Sequence, residues 1–345
     1  MSVLDKVLSL RPGNTVARVG PGSRVPLLNP RELLRALERA PVALPCLPVQ
    51  SKAALPGLLR AARAEDAVLG LACAHPMADR GAAERFVEAV HAAASEAEHT
   101  RPLFLQAGPV RVARADEESL APLRDGLFRM VDAGFALVSL DLSRLDSYAA
   151  VEAVNALAGP VTERELSLEL SPPAPARGGP LDVCRTLLEG LRQWKVPVRF
   201  LRVAERELGE GEPDVGMLRS LVDLGSEFEV SVAVGDVRQG FPRMLPTYVA
   251  AGARKVDCVG PFERLALGAR PADTRADVER KAQASGLAAG ELLSVLEDGL
   301  PALEADARER LEALSFAEAT DALAGLGAVG RAQAVMRFLA ANRGD

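Results

Sequence analysis

Histidine is scarce in this chain: three residues in 345. Any site built from several imidazoles must draw on His75, His91 and His99 alone. Aromatic residues make up 4% and tryptophan occurs once. The four cysteines, Cys46, Cys73, Cys184 and Cys258, stand singly, with no CxxC and no regular spacing, which argues against a disulfide scaffold or a zinc ribbon and points to a reducing, cytoplasmic setting. No run of about 18 apolar residues is present to span a bilayer. The first residues, MSVLDKVLSLRPGN, are too short and too charged for a secretory signal. With 41 Lys and Arg against 47 Asp and Glu, the net charge of −6 is interspersed along the chain. Neither nucleic acid nor an anionic membrane is an expected partner. There is no GxSxG, HExxH or P-loop.

What the sequence does contain is an alternation of short apolar runs and longer helical stretches. Eight candidate strands occur at 41–49, 67–75, 102–108, 136–142, 165–170, 197–204, 228–235 and 255–260. Segments with apolar residues at i, i+3 and i+4 separate them, and glycine ends several of these before the next strand, as at Gly134 and Gly252. Eight units over about 230 residues predict an α/β fold, a (β/α)8 TIM barrel. The competing arrangement is an open doubly wound sheet, but no GxGxxG follows the first strand. The expected organisation is an N-terminal helical leader capping the barrel (1–40), the barrel (41–270) and a C-terminal all-helical extension (271–345). That extension is amphipathic, so its apolar faces need covering by the barrel or by another chain. A homodimer and a protein partner on these helices are therefore both expected.

A barrel of this type carries its chemistry at the C-terminal ends of its strands. The polar residues expected there are Gln50, His75, Gln106, Asp141 with Ser143, Glu169, Arg202 with Glu205, Asp236 and Asp257. Asp141, Glu169 and Asp257 are the candidate catalytic residues; Gln50, His75, Gln106, Ser143, Arg202 and Asp236 are candidate ligand-binding residues. Asp141 and Glu169 interrupt apolar strands (VSLDLS, LSLELS), where a carboxylate is costly unless it is paired or ligated. Two readings stay open for them: a cation or substrate-hydroxyl site, or pairing with an arginine such as Arg202 or Arg144. His75 lies near Cys73 but has no third soft ligand close by, and a lone histidine at a strand end is more often structural. His91 and His99 fall on or just beyond the second helix and are expected to be solvated. Lys195 and Lys255 begin strands and are placed away from the mouth, so no strand interior is expected to supply a desolvated lysine for Schiff-base chemistry.

The order of segments resembles the class II, zinc-dependent fructose-bisphosphate and tagatose-bisphosphate aldolases. The likeness runs from VPLLNPRELLRALERAPVALPCLPVQ through RPLFLQAGPVRV, GFALVSLDLS and LSLELS to VSVAVGDV and GARKVDCVGPFERLA, most of residues 1–270. The resemblance implies the barrel fold and, at a carboxylate near the metal site, Glu169. In that family the third strand ends in Asp-His, the aspartate moving a proton and the histidine holding zinc; the matching positions are Gly108 and Pro109. The seventh strand of the family ends in a zinc histidine and a Gly-Gly-Ser-type phosphate loop, where this chain has Ala233, Val234, Gly235 and Asp236. No histidine matches the ligand near the sixth strand, and the eighth strand ends in Asp257-Cys258-Val259-Gly260. The resemblance thus implies a pseudoenzyme of the aldolase superfamily without zinc or another cofactor, acting as a binding, scaffolding or regulatory protein. The alternative is an acid/base or metal-assisted carbon-carbon lyase in carbohydrate metabolism. It would use a divalent cation such as Mg2+ or Zn2+ on a small carbohydrate-like or sugar-phosphate substrate.

Overall fold

The computed structural model describes residues 1–174, 179–209 and 212–342. Eight strands are built from the short apolar runs: β1 (Leu44–Pro48), β2 (Leu69–Cys73), β3 (Leu103–Arg111), β4 (Leu137–Asp141), β5 (Ser167–Ser171), β6 (Phe200–Ala204), β7 (Ser231–Val237) and β8 (Lys255–Cys258). All pair in parallel, each with its sequence neighbour, and β8 closes on β1 through Leu44 opposite Lys255 and Cys46 opposite Asp257. Helices cover the outer face, so the strands are buried on both sides and carry little polar alternation. The glycine at the end of the helix Glu117–Ala133 does what its position suggests: Gly134 is left-handed at φ 106° and its N–H returns to the last turn before β4 begins.

Two strands depart from regular register, and both departures lie toward the mouth. On β3 the pairing with β4 shifts between Ala107 and Val110. Gly108 sits there at φ 94°, and a Cβ would press on the Ser139 carbonyl oxygen, so glycine is required. On β7 the shift falls between Val234 and Val237 and puts Asp236 in the left-handed region at φ 55°. Aspartate tolerates that conformation better than most residues, and the bulge redirects its side chain.

The leader fastens the opposite end of the barrel. Leu28 N–H donates to Leu103 O and Leu103 N–H donates to Pro26 O, which extends the start of β3. Asn29 donates to Glu165 O and accepts from the Ser167 hydroxyl at the start of β5. In the C-terminal extension, the helix Ala305–Gly325 lies along the helix Leu55–Ala64. Gly57 permits this approach, because any side chain there would run into the Glu312 carbonyl oxygen. The helices Ala272–Ser285 and Ala289–Leu296 share a small core of their own, formed by Val278 and Leu293 with Ala266. Polar contacts hold this pair to the rim: Glu297 accepts from Lys52 N–H and Arg270, and Gly290 N–H donates to Glu263.

One histidine corrects the sequence expectation. His99 is not solvated but 1% exposed, packed at the end of the helix Ala82–Glu96. Burial, helped by the positive charge of Arg101, lowers its pKa from 6.5 to about 4. A histidine held neutral in the fold contributes stability that is complete above its unfolded pKa and is lost as the pH falls from 6.5 toward 4. The expected loss is about 3 kcal/mol by pH 4. Replacing His99 with leucine should flatten this part of the pH–stability curve measured by urea denaturation. An unchanged slope in the variant would contradict the assignment.

Candidate functional site

Side chains alternate along a strand, so Lys255 and Asp257 on β8 share the inward face, as do Glu169 and Ser171 on β5. In a closed barrel these faces meet at the centre. The Lys255 ammonium lies 2.7 Å from Glu169 Oε2 and 2.6 Å from Asp257 Oδ1. Arg202 on β6 places Nε 3.0 Å from Asp257 Oδ2 and donates from Nη1 to the Ser171 hydroxyl. Its Nη2 is 2.9 Å from Asp236 Oδ1, the side chain redirected by the β7 bulge. Ser139 on β4 donates to Glu169 at 2.8 Å. Gly235 leaves the room that Arg202 fills, since a Cβ there would collide with the guanidinium.

Lys255 and Glu169 are fully buried, and Arg202 and Asp257 nearly so at 4% and 5% exposure. Two cations face two carboxylates, and Asp236 adds a third at the wetter end. Isolated, each charge would be very costly at this depth; together they cancel. Burial works against the charged forms of Lys255 and Arg202, but Asp257 outweighs it for the lysine and Asp236 and Asp257 for the arginine, so both sit above their ordinary values. For Asp257, burial is overcome by Lys255 and Arg202, and its pKa is held down. Glu169, the deepest carboxylate, is raised by burial, which Lys255 only partly offsets.

Lys255 was expected outside the barrel mouth, and it is instead a lysine inside the barrel. The expectation placed the first strand residue beyond the interior, whereas the inward face of β8 begins with that residue. A Schiff base nevertheless requires a neutral amine, and a lysine paired with two carboxylates stays an ammonium ion at neutral pH.

Above this network opens a cavity of about 870 Å3. His75, Asp141, Ser143, Arg202 and Asp236 all line it. Asp141 accepts from Ser143 N–H at 3.0 Å and lies 3.6 Å from Arg111 Nε, so its arginine partner is Arg111, not Arg202 or Arg144. His75 Nε2 is 3.8 Å from Glu291, a residue of the C-terminal helix Ala289–Leu296 that also lines the cavity. The Glu291 carboxyl is held below its ordinary value, His75 being the largest cause. The other sequence candidates are elsewhere. Glu169 and Asp257 lie beneath the floor and communicate with the cavity through Arg202. Gln106 is buried in the interior, where its Oε1 faces Cys46 Sγ at 3.4 Å. Gln50 is 2% exposed, off the cavity wall, and its Oε1 has no hydrogen-bond partner among the described residues.

Sequence reading missed Lys255, Ser139 and Ser171 inside the barrel, and Arg238 and Glu291 at the mouth; Glu205, expected at the end of β6, does line the cavity. Lys255 was detectable from its spacing of two residues from Asp257. Glu291 was not, because nothing in its local sequence ties a tail helix to His75.

A zinc ion implied by the family resemblance does not fit these residues. Pro109 and Ala233 offer no donor atom, and a divalent cation approaching Glu169 or Asp257 would meet Lys255 and Arg202 already on those oxygens. Among the described residues no group of three or more His, Cys, Asp or Glu side chains is placed to hold a metal ion.

The fold has solved counterparts. No family model matches the chain, and no curated protein matches it. Among solved structures, the YdjI aldolase from Escherichia coli K12 superposes with a TM-score of 0.58 at 12% identity, covering 86% of this chain and 96% of that one. A putative fructose-1,6-biphosphate aldolase from Coccidioides immitis gives 0.57 at 16% identity, covering 88% and 97%. The fructose-bisphosphate aldolase from Campylobacter jejuni gives 0.58 at 13%, covering 87% and 94%. The chain has an aldolase-like (β/α)8 barrel fold.

The interior network makes a stability prediction. Lys255→Met strands Glu169 without its closest counter-ion and should cost about 3–5 kcal/mol, read as a lower urea midpoint. Lys255→Met combined with Glu169→Leu should be less destabilised than Lys255→Met alone. If the double variant loses as much as the two single losses added together, the two side chains are not coupled as described.

Proposed function

We propose that this chain is an aldolase-like barrel that neither holds a catalytic zinc ion nor cleaves ketose bisphosphates, and that it works as a binding, scaffolding or regulatory protein. The observation that carries this reading is the pairing of Glu169 and Asp257 with Lys255 and Arg202. Carboxylates already neutralised by side-chain cations have little attraction left for a divalent metal, and their proton affinities are committed to one another. The mouth above them is the binding surface in this reading, with Asp141, Ser143 and the solvent-facing side of Asp236 as its polar contacts. Leu314 and Phe338, exposed on the C-terminal helices, and Val329, exposed in the turn between them, support a protein partner there.

A second reading has one observation in its favour. His75 Nε2 lies 3.8 Å from Glu291 at the cavity, an arrangement of imidazole and carboxylate that a lyase acting on a hydroxylated substrate would use.

Elemental analysis after zinc loading and gel filtration tests the first reading. It should find far less than one zinc per chain, and retro-aldol assays with fructose 1,6-bisphosphate and tagatose 1,6-bisphosphate should show no cleavage above background. Stoichiometric zinc accompanied by cleavage would overturn it. Cleavage that needs no metal and disappears in His75→Gln would favour the second reading.

A further inference from the structure

The wall of the mouth between β6 and β7 is built around one carboxylate. Glu205, the first residue after β6, lines the cavity together with Arg238 and Gln239. Three successive backbone N–H groups of the loop after β7 converge on it. Arg238 N–H and Gln239 N–H donate to Glu205 Oε2 at 2.8 Å and 3.0 Å, and Gly240 N–H donates to Oε1 at 2.8 Å. The Tyr248 hydroxyl adds a fourth donor to Oε1 at 3.0 Å. Gly240 has to be glycine for the carboxylate to come this close, because a Cβ would stand 2.6 Å from Oε1.

Successive amides turned to one point form a concave site for an oxyanion, whatever molecule carries it. The Arg238 side chain, which could otherwise assist an anion there, is turned away and paired with Glu263. A free phosphoryl group would have to displace a tethered carboxylate that accepts four hydrogen bonds, and would meet its negative charge.

We infer that residues 238–240 form an oxyanion cradle that the chain fills with its own Glu205, so that the mouth rejects phosphoryl groups on this wall and takes a hydroxylated, unphosphorylated ligand. Glu205 is thus a specificity-determining residue. The inference rests on reading the mouth as a binding surface, but it is independent of metal content: zinc could be present or absent with the cradle filled or open.

The test is titration of the full chain with inorganic phosphate, followed by the backbone amide resonances of residues 238–240. In the wild-type protein these resonances should not move. In Glu205→Ala, with folding checked by circular dichroism and thermal melting, they should shift saturably with a dissociation constant on the order of 1 mM. Glu205→Ser, which keeps one short acceptor in the cradle, should behave in the same direction with smaller shifts. Movement of these amides by phosphate in the wild-type protein overturns the inference, and so do unmoved amides in either folded variant. Stoichiometric zinc without bisphosphate cleavage, with the cradle amides unmoved, would remove the zinc-free reading and leave this inference standing, whereas cleavage of a ketose bisphosphate would overturn both.

Discussion

The rest of the structure depends on the mutual neutralisation of Lys255, Glu169, Asp257 and Arg202 at the centre of the barrel. Four ionised groups at 0–5% exposure are tolerable only as a set. Each one fixes the place of another: Lys255 bridges β8 to β5, and Arg202 bridges β6 to β8 and reaches β7 through Asp236. Half of the strand ring is therefore tied together by charge, while the side of β2 and β3 is packed by Phe104 over Gly70. Such a network adds little net stability over an apolar core of the same volume, but removing one member is expensive. It acts as a constraint on which residues the interior can hold.

That constraint divides the barrel into two layers with different prospects. Beneath Arg202, charge is matched internally and the lysine is paired with two carboxylates. Above it, the mouth keeps groups with unused capacity: Asp236 faces solvent on one side, Ser143 lines the wall, and His75 meets Glu291 at 3.8 Å. The two bulges, at Gly108 on β3 and Asp236 on β7, shape this rim. They fall at strand ends where the aldolase resemblance implies catalytic residues, and here one supplies a Gly-Pro turn and the other a counter-ion for Arg202.

How much was legible in the sequence follows from the range of each interaction. All eight strands could be placed because a parallel barrel buries both strand faces and leaves continuous apolar runs such as AVLGLAC. The inward carboxylate at Glu169 and the arginine at Arg202 were visible as polar breaks in those runs. Lys255 was misplaced although the start of its strand was not: the first residue of β8 was read as lying beyond the interior, whereas it shares the inward face with Asp257 two positions on. His99 was misread because a polar residue just after an amphipathic helix looks solvated, and its burial depends on packing from distant chain segments. The Glu205 cradle and the His75–Glu291 pair join residues 35 and 216 positions apart respectively. Nothing in a single sequence announces contacts of that kind.

The most direct measurement of the central claim is the protonation state of Lys255, followed by NMR of 15N-labelled lysine side chains across a pH titration, with Lys255→Met used for assignment. The account predicts a slowly exchanging ammonium signal for Lys255 that shows no titration through the range in which an ordinary lysine, with a pKa of 10.5, loses its proton. A Lys255 signal that titrates below that value would contradict it, because the interior would then hold a neutral amine, and the matched set of charges on which the account rests would not exist.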